Sequence, residues 1–269
     1  MNRKYGIVQG RLLQSPEGML QWFPDKSWED EFDIGSEINF DFIELITSEV
    51  KDKSNPIWGD QGRSRLNELS KKHGIDIYSA CFDFIIGNDV RDEETKDSLF
   101  KFIECSKSLG IKKIILPFFG ASEINKNNSS EYISILNETL SIIDSSKMEL
   151  CIESLMGAQE LKSFISSFKK KGLAVVFDTG NTVAHGHDIY NEIVILGDLI
   201  SHIHLKDKDL NNENVLLGTG LVDFYSIMQS LNEINYSGPF TFETHRGRDP
   251  IATAIHNRNF IEFLDSQFV

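Results

Sequence analysis

The chain has 269 residues, 40% of them hydrophobic and 25% charged, the balance of a soluble globular protein large enough to bury a substantial core. A formal charge of −14 argues against the basic face that phosphate-backbone binding needs, so nucleic acid is not an expected partner. No apolar run approaches the roughly 18 residues of a membrane span, and "MNRKYGIVQGRLLQ" turns polar before a signal-peptide core forms, so a cytoplasmic protein without a membrane partner is expected.

Candidate strands alternate with helix-like segments along the whole chain. "YGIVQGRL" (5–12) comes first and leads into a long loop whose Trp22 and Phe23 suit either lid duty or packing against the body. "FDFIELI" (40–46) and "IDIYSACFDF" (75–84) follow, the second just after a stop at Gly74. "SLFKFIECSKSLG" has helical apolar spacing and ends at Gly110, before the strand "IKKIILPFF" (111–119) and the helical "EYISILNETLSIIDSS". The second half supplies "MELCIESL" (148–155), then "LAVVFDTGN" (173–181) behind a helix stop at Gly172, "ISHIHLKD" (200–207) and "PFTFETH" (239–245).

One residue near each strand end (Arg11, Ile46, Asp83, Phe118, Glu153, Asp178, His204, Glu243) follows its predecessor by 25 to 39 residues. Each interval holds one strand, one helix and two loops. Eight such units predict an α/β chain folded as a (β/α)8 TIM barrel, with residues 1–269 as a single domain. A doubly wound open sheet is the alternative, but it usually places a glycine-rich phosphate loop after its first strand, and "GIVQGRL" has none.

In such a barrel the catalytic groups gather at the C-terminal strand ends. Four consecutive ends carry Glu153, Asp178, His204 and Glu243, each closing an apolar run. One acid at a strand end is usually a helix cap or a salt-bridge partner. Three carboxylates and a histidine on one rim call for a positive partner, because buried carboxylates are costly alone. A donor set of three oxygens and one nitrogen predicts one divalent metal ion, Mn²⁺ first, with Mg²⁺, Co²⁺ or Zn²⁺ as alternatives. The three cysteines, Cys81, Cys105 and Cys151, form no CxxC pair and predict neither a disulfide framework nor a thiolate zinc site.

The series Glu153, Asp178, His204 and Glu243, together with "DTGN", "HIHLKD" and "LGTGLVDF", resembles the xylose isomerase-like barrels of sugar isomerases and epimerases. The pattern is most similar to the ketose epimerases of the tagatose and psicose type and their sugar-phosphate relatives. The resemblance implies an isomerase or epimerase of a small-molecule carbohydrate, with Glu153 and Glu243 as the acid/base pair as well as metal ligands. Asp178 and His204 would be ligands only. Proton transfer would run through an enediolate, since a Lewis acid stabilises the developing oxyanion. Relatives of this kind are often dimers or tetramers, which leaves a homo-oligomer open. A metal-dependent lyase or dehydratase is the alternative activity; an endonuclease of the abasic-site type would need further histidines that "ACFDFIIG" and "IILPFFG" lack.

The chain departs from the epimerase pattern at Gln159, Asn181 and Leu210, where a glutamate, a histidine and an arginine are usual, which implies a substrate other than a free tagatose-like ketose. Expected substrate-binding residues are Asn181, Lys206, His245, Arg246, Glu44, Asp83 and Gln159, with a rim salt bridge to Asp207 or another carboxylate as the alternative for Lys206. Arg246 and Arg248 suit a phosphate or carboxylate. His202, one step below His204, is expected to be a hydrogen-bonded interior residue, and His185 and His187 to sit in a solvated loop.

Overall fold

A computed structural model describes residues 3–16, 19–143, 148–168 and 172–268. Eight parallel strands close into a barrel in chain order: β1 (Tyr5–Val8), β2 (Phe42–Ile46), β3 (Asp76–Cys81), β4 (Lys113–Phe118), β5 (Glu149–Ser154), β6 (Leu173–Asp178), β7 (Ile200–Leu205) and β8 (Phe240–Phe242). The expected (β/α)8 architecture is present. Helices α1 (Asp30–Glu37), α2 (Asp60–His73), α3 (Phe84–Gly87), α4 (Glu93–Leu109), α5 (Ile133–Ile142) and α6 (Ala158–Ser166) lie between the first six strands. Next come α7 (Thr179–Ala184), α8 (Ile189–Leu196), α9 (Phe224–Glu233) and the closing α10 (Pro250–Asp265). No helix among the described residues is long and apolar enough to cross a membrane.

Two layers of side chains explain the sequence pattern. Outward-facing residues such as Ile203, Leu205, Leu150 and Ile152 belong to the large core shared with the helices. Inside the barrel, Val8, Ile46, Cys81, Ile115, Cys151, Ala174 and Val176 form a separate apolar plug. Strand alternation then lifts Glu153 and Asp178 one step above Cys151 and Val176, onto the rim. Glu153 and Asp178 thus stand above an apolar layer.

Two bulges set the register of the polar interior. Ile43 pairs with Ile77 but Glu44 with Ser79, so Tyr78 is extra in β3. Val175 pairs with Ile200 but Val176 with His202, so Ser201 is extra in β7. The second bulge brings His204 opposite Asp178.

Gly74 and Gly110 end α2 and α4 in the left-handed conformation, as expected. Gly172 does not cap a helix: α6 ends at Ser166, and Gly172 leads into β6. Several strands also stop short of the predicted runs. β3 ends at Cys81 and Phe84 opens a helix, so Asp83 sits in the turn between them. β8 ends at Phe242, which leaves Glu243 and His245 beyond the strand.

Candidate metal centre and substrate cavity

Glu153, Asp178, His204 and Glu243 converge at the C-terminal end of β5–β8, all buried, with ligand atoms within 4.8 Å of one another. Each is held from outside so that one atom faces inward. Asp178 caps α7, its Oδ1 accepting the Asn181 N–H at 2.6 Å, which leaves Oδ2 toward the centre. Glu153 Oε1 accepts from Asn181 Nδ2 at 3.2 Å, while its Oε2 lies 3.5 Å from His204 Nδ1. Glu243 Oε1 lies 3.4 Å from Arg11 Nη2, and its Oε2 is 3.1 Å from His204 Nδ1.

His204 is oriented by Glu44. The Glu44 Oε1–His204 Nε2 distance is 2.9 Å, and Glu44 Oε2 takes His202 Nε2 at 2.9 Å and the Ser79 hydroxyl at 2.6 Å. A proton on Nε2 leaves the Nδ1 lone pair free to ligate. Among the described residues, His204 Nδ1 and Asp178 Oδ2 make no well-aligned hydrogen bond; each instead faces a charged group, Glu243 Oε2 at 3.1 Å and Lys206 Nζ at 3.0 Å. These two buried atoms, with a carboxylate oxygen from each glutamate close by, make a donor set of three oxygens and one nitrogen that fits a divalent cation.

Lys206 also reaches this point. Its Nζ is 3.0 Å from both Asp178 Oδ2 and Glu243 Oε2. The salt bridge expected as the alternative for Lys206 is therefore formed with other carboxylates and not with Asp207. The Asp207 carboxylate instead accepts four backbone N–H groups, from Lys208, Gly218, Gly220 and Val222, and builds the loop after β7 around itself.

Charge is distributed unevenly. Burial pushes the Glu153 carboxyl up; His204 opposes this, Asp178 and Glu243 add to it, and the net shift is upward. Burial also pushes Glu243 up, but Lys206, His204 and Arg11 outweigh it and hold that carboxyl well below its usual range. For Glu44, burial is overcome by the two histidines, which bring it down to about 2. Burial pushes Asp83 up to about 7, against hydrogen bonds from Cys81 and Gln21 and with Glu243 and Glu153 adding to the rise.

The cluster opens into a cavity of about 230 Å³ whose walls include Gln21, Glu49, Asp83, Asn181 and Lys206. A groove of about 290 Å³ over Trp58 is larger but touches none of the four cluster residues. Gln21 comes from the β1–α1 loop. Its Nε2 donates to Asp83 Oδ2 at 2.9 Å and its Oε1 accepts from Arg11 Nη2 at 2.5 Å, while Arg11 Nη1 donates to the Leu20 carbonyl at 2.6 Å. One arginine therefore touches both the loop and Glu243. Gly10, at φ +84°, makes the turn that starts this loop, and a Cβ there would meet the Trp22 carbonyl oxygen at 2.1 Å.

Of the residues expected at the site, Glu44, Asp83, Asn181 and Lys206 line the cavity with Glu153, His204 and Glu243. Gln159 does not; it is exposed on α6. Because β8 stops at Phe242, strand alternation does not carry His245 onto the Glu243 face, and His245 and Arg246 line an outer cavity of about 340 Å³. Arg246 donates to the carbonyls of Gly10, Met19 and Leu20, which pins the β1–α1 loop. Phe23 is buried in the core, so Leu20 and Gln21 are the loop residues that reach the inner cavity. His202 is an enclosed hydrogen-bonded residue, as its position on β7 implies. His185 is exposed.

The family model described as "Xylose isomerase-like TIM barrel" matches residues 32–264. The chain belongs to this family. A putative L-ribulose-5-phosphate 3-epimerase, SgbU of Escherichia coli K12, is 26% identical, the alignment covering 97% of this chain and 96% of that one. Among solved structures, an L-ribulose 3-epimerase superposes with a TM-score of 0.79 at 17% identity, over 100% of this chain and 96% of the other. The IOLI protein with a bound zinc atom superposes with a TM-score of 0.77 at 16% identity, over 99% of each chain. Arg11 and Gln21 lie before the span matched by the family model.

Proposed function

We propose that this protein is a divalent-metal-dependent epimerase of a ketose or ketose phosphate, a single-domain cytoplasmic enzyme that uses Mn²⁺ by preference. The observation that carries the reading is the convergence of His204 Nδ1 with an oxygen each from Glu153, Asp178 and Glu243 at the floor of a cavity fit for one monosaccharide. The 3-epimerase names of its relatives favour epimerisation over lyase chemistry. Three free buried thiols suit a reducing compartment.

Glu153, Asp178, His204 and Glu243 would hold the ion. When bound, it would supply Lewis-acid stabilisation of oxyanion charge on the substrate. The chain's own residues then divide the work. Glu153 and Glu243, from β5 and β8, take a proton from the carbon beside the carbonyl and return one to the opposite face. Asn181 and Arg11 hold the outer oxygen of each glutamate, so only one oxygen of each is presented inward. Gln21, Asp83 and Lys206 offer hydrogen bonds to sugar hydroxyls, and Leu20 and Gln21 cover the cavity against water. A phosphate would extend away from Glu49 and Asp83, toward the outer cavity that shares Leu20 and carries His245 and Arg246.

The test is solvent-deuterium incorporation with Mn²⁺ present, across L-ribulose 5-phosphate, L-ribulose, D-psicose and D-tagatose. Glu153→Gln and Glu243→Gln should each abolish exchange at the epimerised carbon while circular dichroism is unchanged. Full exchange in either variant would refute the two-base assignment, and no exchange with any ketose or ketose phosphate would refute the epimerase reading.

A further inference from the structure

Lys206 is a buried cation set among the residues that would hold the ion. Its ammonium contacts Asp178 Oδ2 and Glu243 Oε2, each at 3.0 Å, and these are two of the four inward-facing donors. The side chain is fixed by more than its charge. Thr179 Oγ1 accepts the Lys206 N–H at 2.9 Å and donates to the Lys206 carbonyl at 2.6 Å, clamping the backbone. Gly180 leaves a slot for the stem: a Cβ there would come within 3.0–3.2 Å of the Lys206 Cβ, Cγ and Cδ. A solvated rim lysine has no need of such a slot.

We propose that Lys206 competes with the divalent ion for Asp178 and Glu243, and so sets the affinity of the metal centre and couples loading of the ion to release of an ammonium into the substrate cavity. This rests on the metal-centre reading above. The charge count supports it. Three carboxylates carry three negative charges; one ammonium and one divalent ion balance them, with His204 a neutral ligand. Without the lysine the donors would face the ion with a full surplus charge and hold it harder. Once the ion shares its two carboxylates, like-charge repulsion turns the ammonium toward the cavity it already lines, where a substrate oxygen can receive its proton in a hydrogen bond. Lys206 is thus a positioning residue for the ion and, after loading, a binding residue for the sugar.

Mn²⁺ alone is the probe, titrated by calorimetry and by loss of the free-ion electron paramagnetic resonance signal. Lys206→Met and Lys206→Gln should each bind Mn²⁺ about tenfold or more tightly than wild type, the scale of a like-charge repulsion over a few ångströms. Both should melt lower than wild type in EDTA, where the carboxylates have lost their ammonium. Unchanged or weaker binding in folded variants overturns the proposal. Binding by the variants where wild type shows none supports it. Asp178→Asn separates the two readings: if it leaves Mn²⁺ binding intact, the metal centre itself is misassigned, whatever the Lys206 variants do. If no form binds Mn²⁺, both readings fall.

Discussion

Replacing Glu44 by Gln tests whether the centre depends on a residue that is not one of its four ligands. Glu44 is fully buried and accepts from Ser79, His202 and His204 at 2.6, 2.9 and 2.9 Å. On the proposed metal-centre reading, its charge holds a proton on His204 Nε2 and so leaves Nδ1 to the ion. A glutamine retains one acceptor oxygen but brings an NH₂, which can donate to Nε2 and drive the proton to Nδ1, where it blocks ligation. Loss of a carboxylate behind a ligating histidine typically costs 10–100-fold in metal affinity, or about 1.4–2.7 kcal/mol. The fold also loses one charge-assisted bond in an enclosed site, worth about 1.5–3 kcal/mol. Calorimetric titration with Mn²⁺ reads the first effect and urea unfolding in EDTA the second. Ser79→Ala is the control: it removes a bond to the same carboxylate while leaving both histidine contacts, and should keep metal affinity close to wild type. If Glu44→Gln binds Mn²⁺ as tightly as wild type in a folded protein, the tautomer argument is wrong.

Asp83 makes stability depend on pH in a defined direction. Its folded-state value of about 7 lies above the ordinary 3.8, so between those values the folded chain holds a proton that the unfolded chain has released. Stability therefore falls as pH rises through this window and levels off above pH 7. Asp83→Asn removes the penalty, and relative to wild type it should gain about 2 kcal/mol between about pH 5.5 and pH 8 in urea unfolding with EDTA; a pH-independent difference would contradict the assignment. Asp207→Asn sets an NH₂ against backbone donors that need an acceptor, among the four N–H groups the carboxylate now takes. The loss should be about 3 kcal/mol, or roughly 5–10 °C in Tm by thermal scanning; an unchanged Tm would mean that the loop after β7 is not built on this carboxylate.

The four-residue cluster was legible because β5, β6 and β7 are short apolar runs interrupted near their ends by a charged or imidazole side chain, and β8 is followed at once by Glu243. Period-two alternation also separates His204 at the rim from His202 below it. Alternation stops working where the strand stops. His245 follows Glu243 by two residues, the spacing of one strand face, but β8 ends at Phe242 and His245 lies three residues beyond it, off the sheet. Gln159 was carried to the site by analogy of spacing alone, and α6 begins early enough to turn it to solvent. The Arg11–Gln21–Asp83 chain left almost no local trace. Its members come from a strand end, a long loop and a turn, and only barrel closure brings them to Glu243. The bulges at Tyr78 and Ser201 were equally invisible, since a single extra residue does not disturb hydropathy.

The four donors all come from the second half of the chain, whereas Glu44 and Arg11, which aim His204 and Glu243, come from the first. A chain that has formed β5–β8 possesses every ligand but no instruction for pointing two of them. On the proposed reading, tight metal binding would then register the docking of the N-terminal strands rather than the synthesis of the donors. By the same logic, damage that loosens β1 or β2 would strip the ion while most of the backbone is still folded. Metal retention becomes a seal on the assembled barrel, sensitive to injuries far from any ligand.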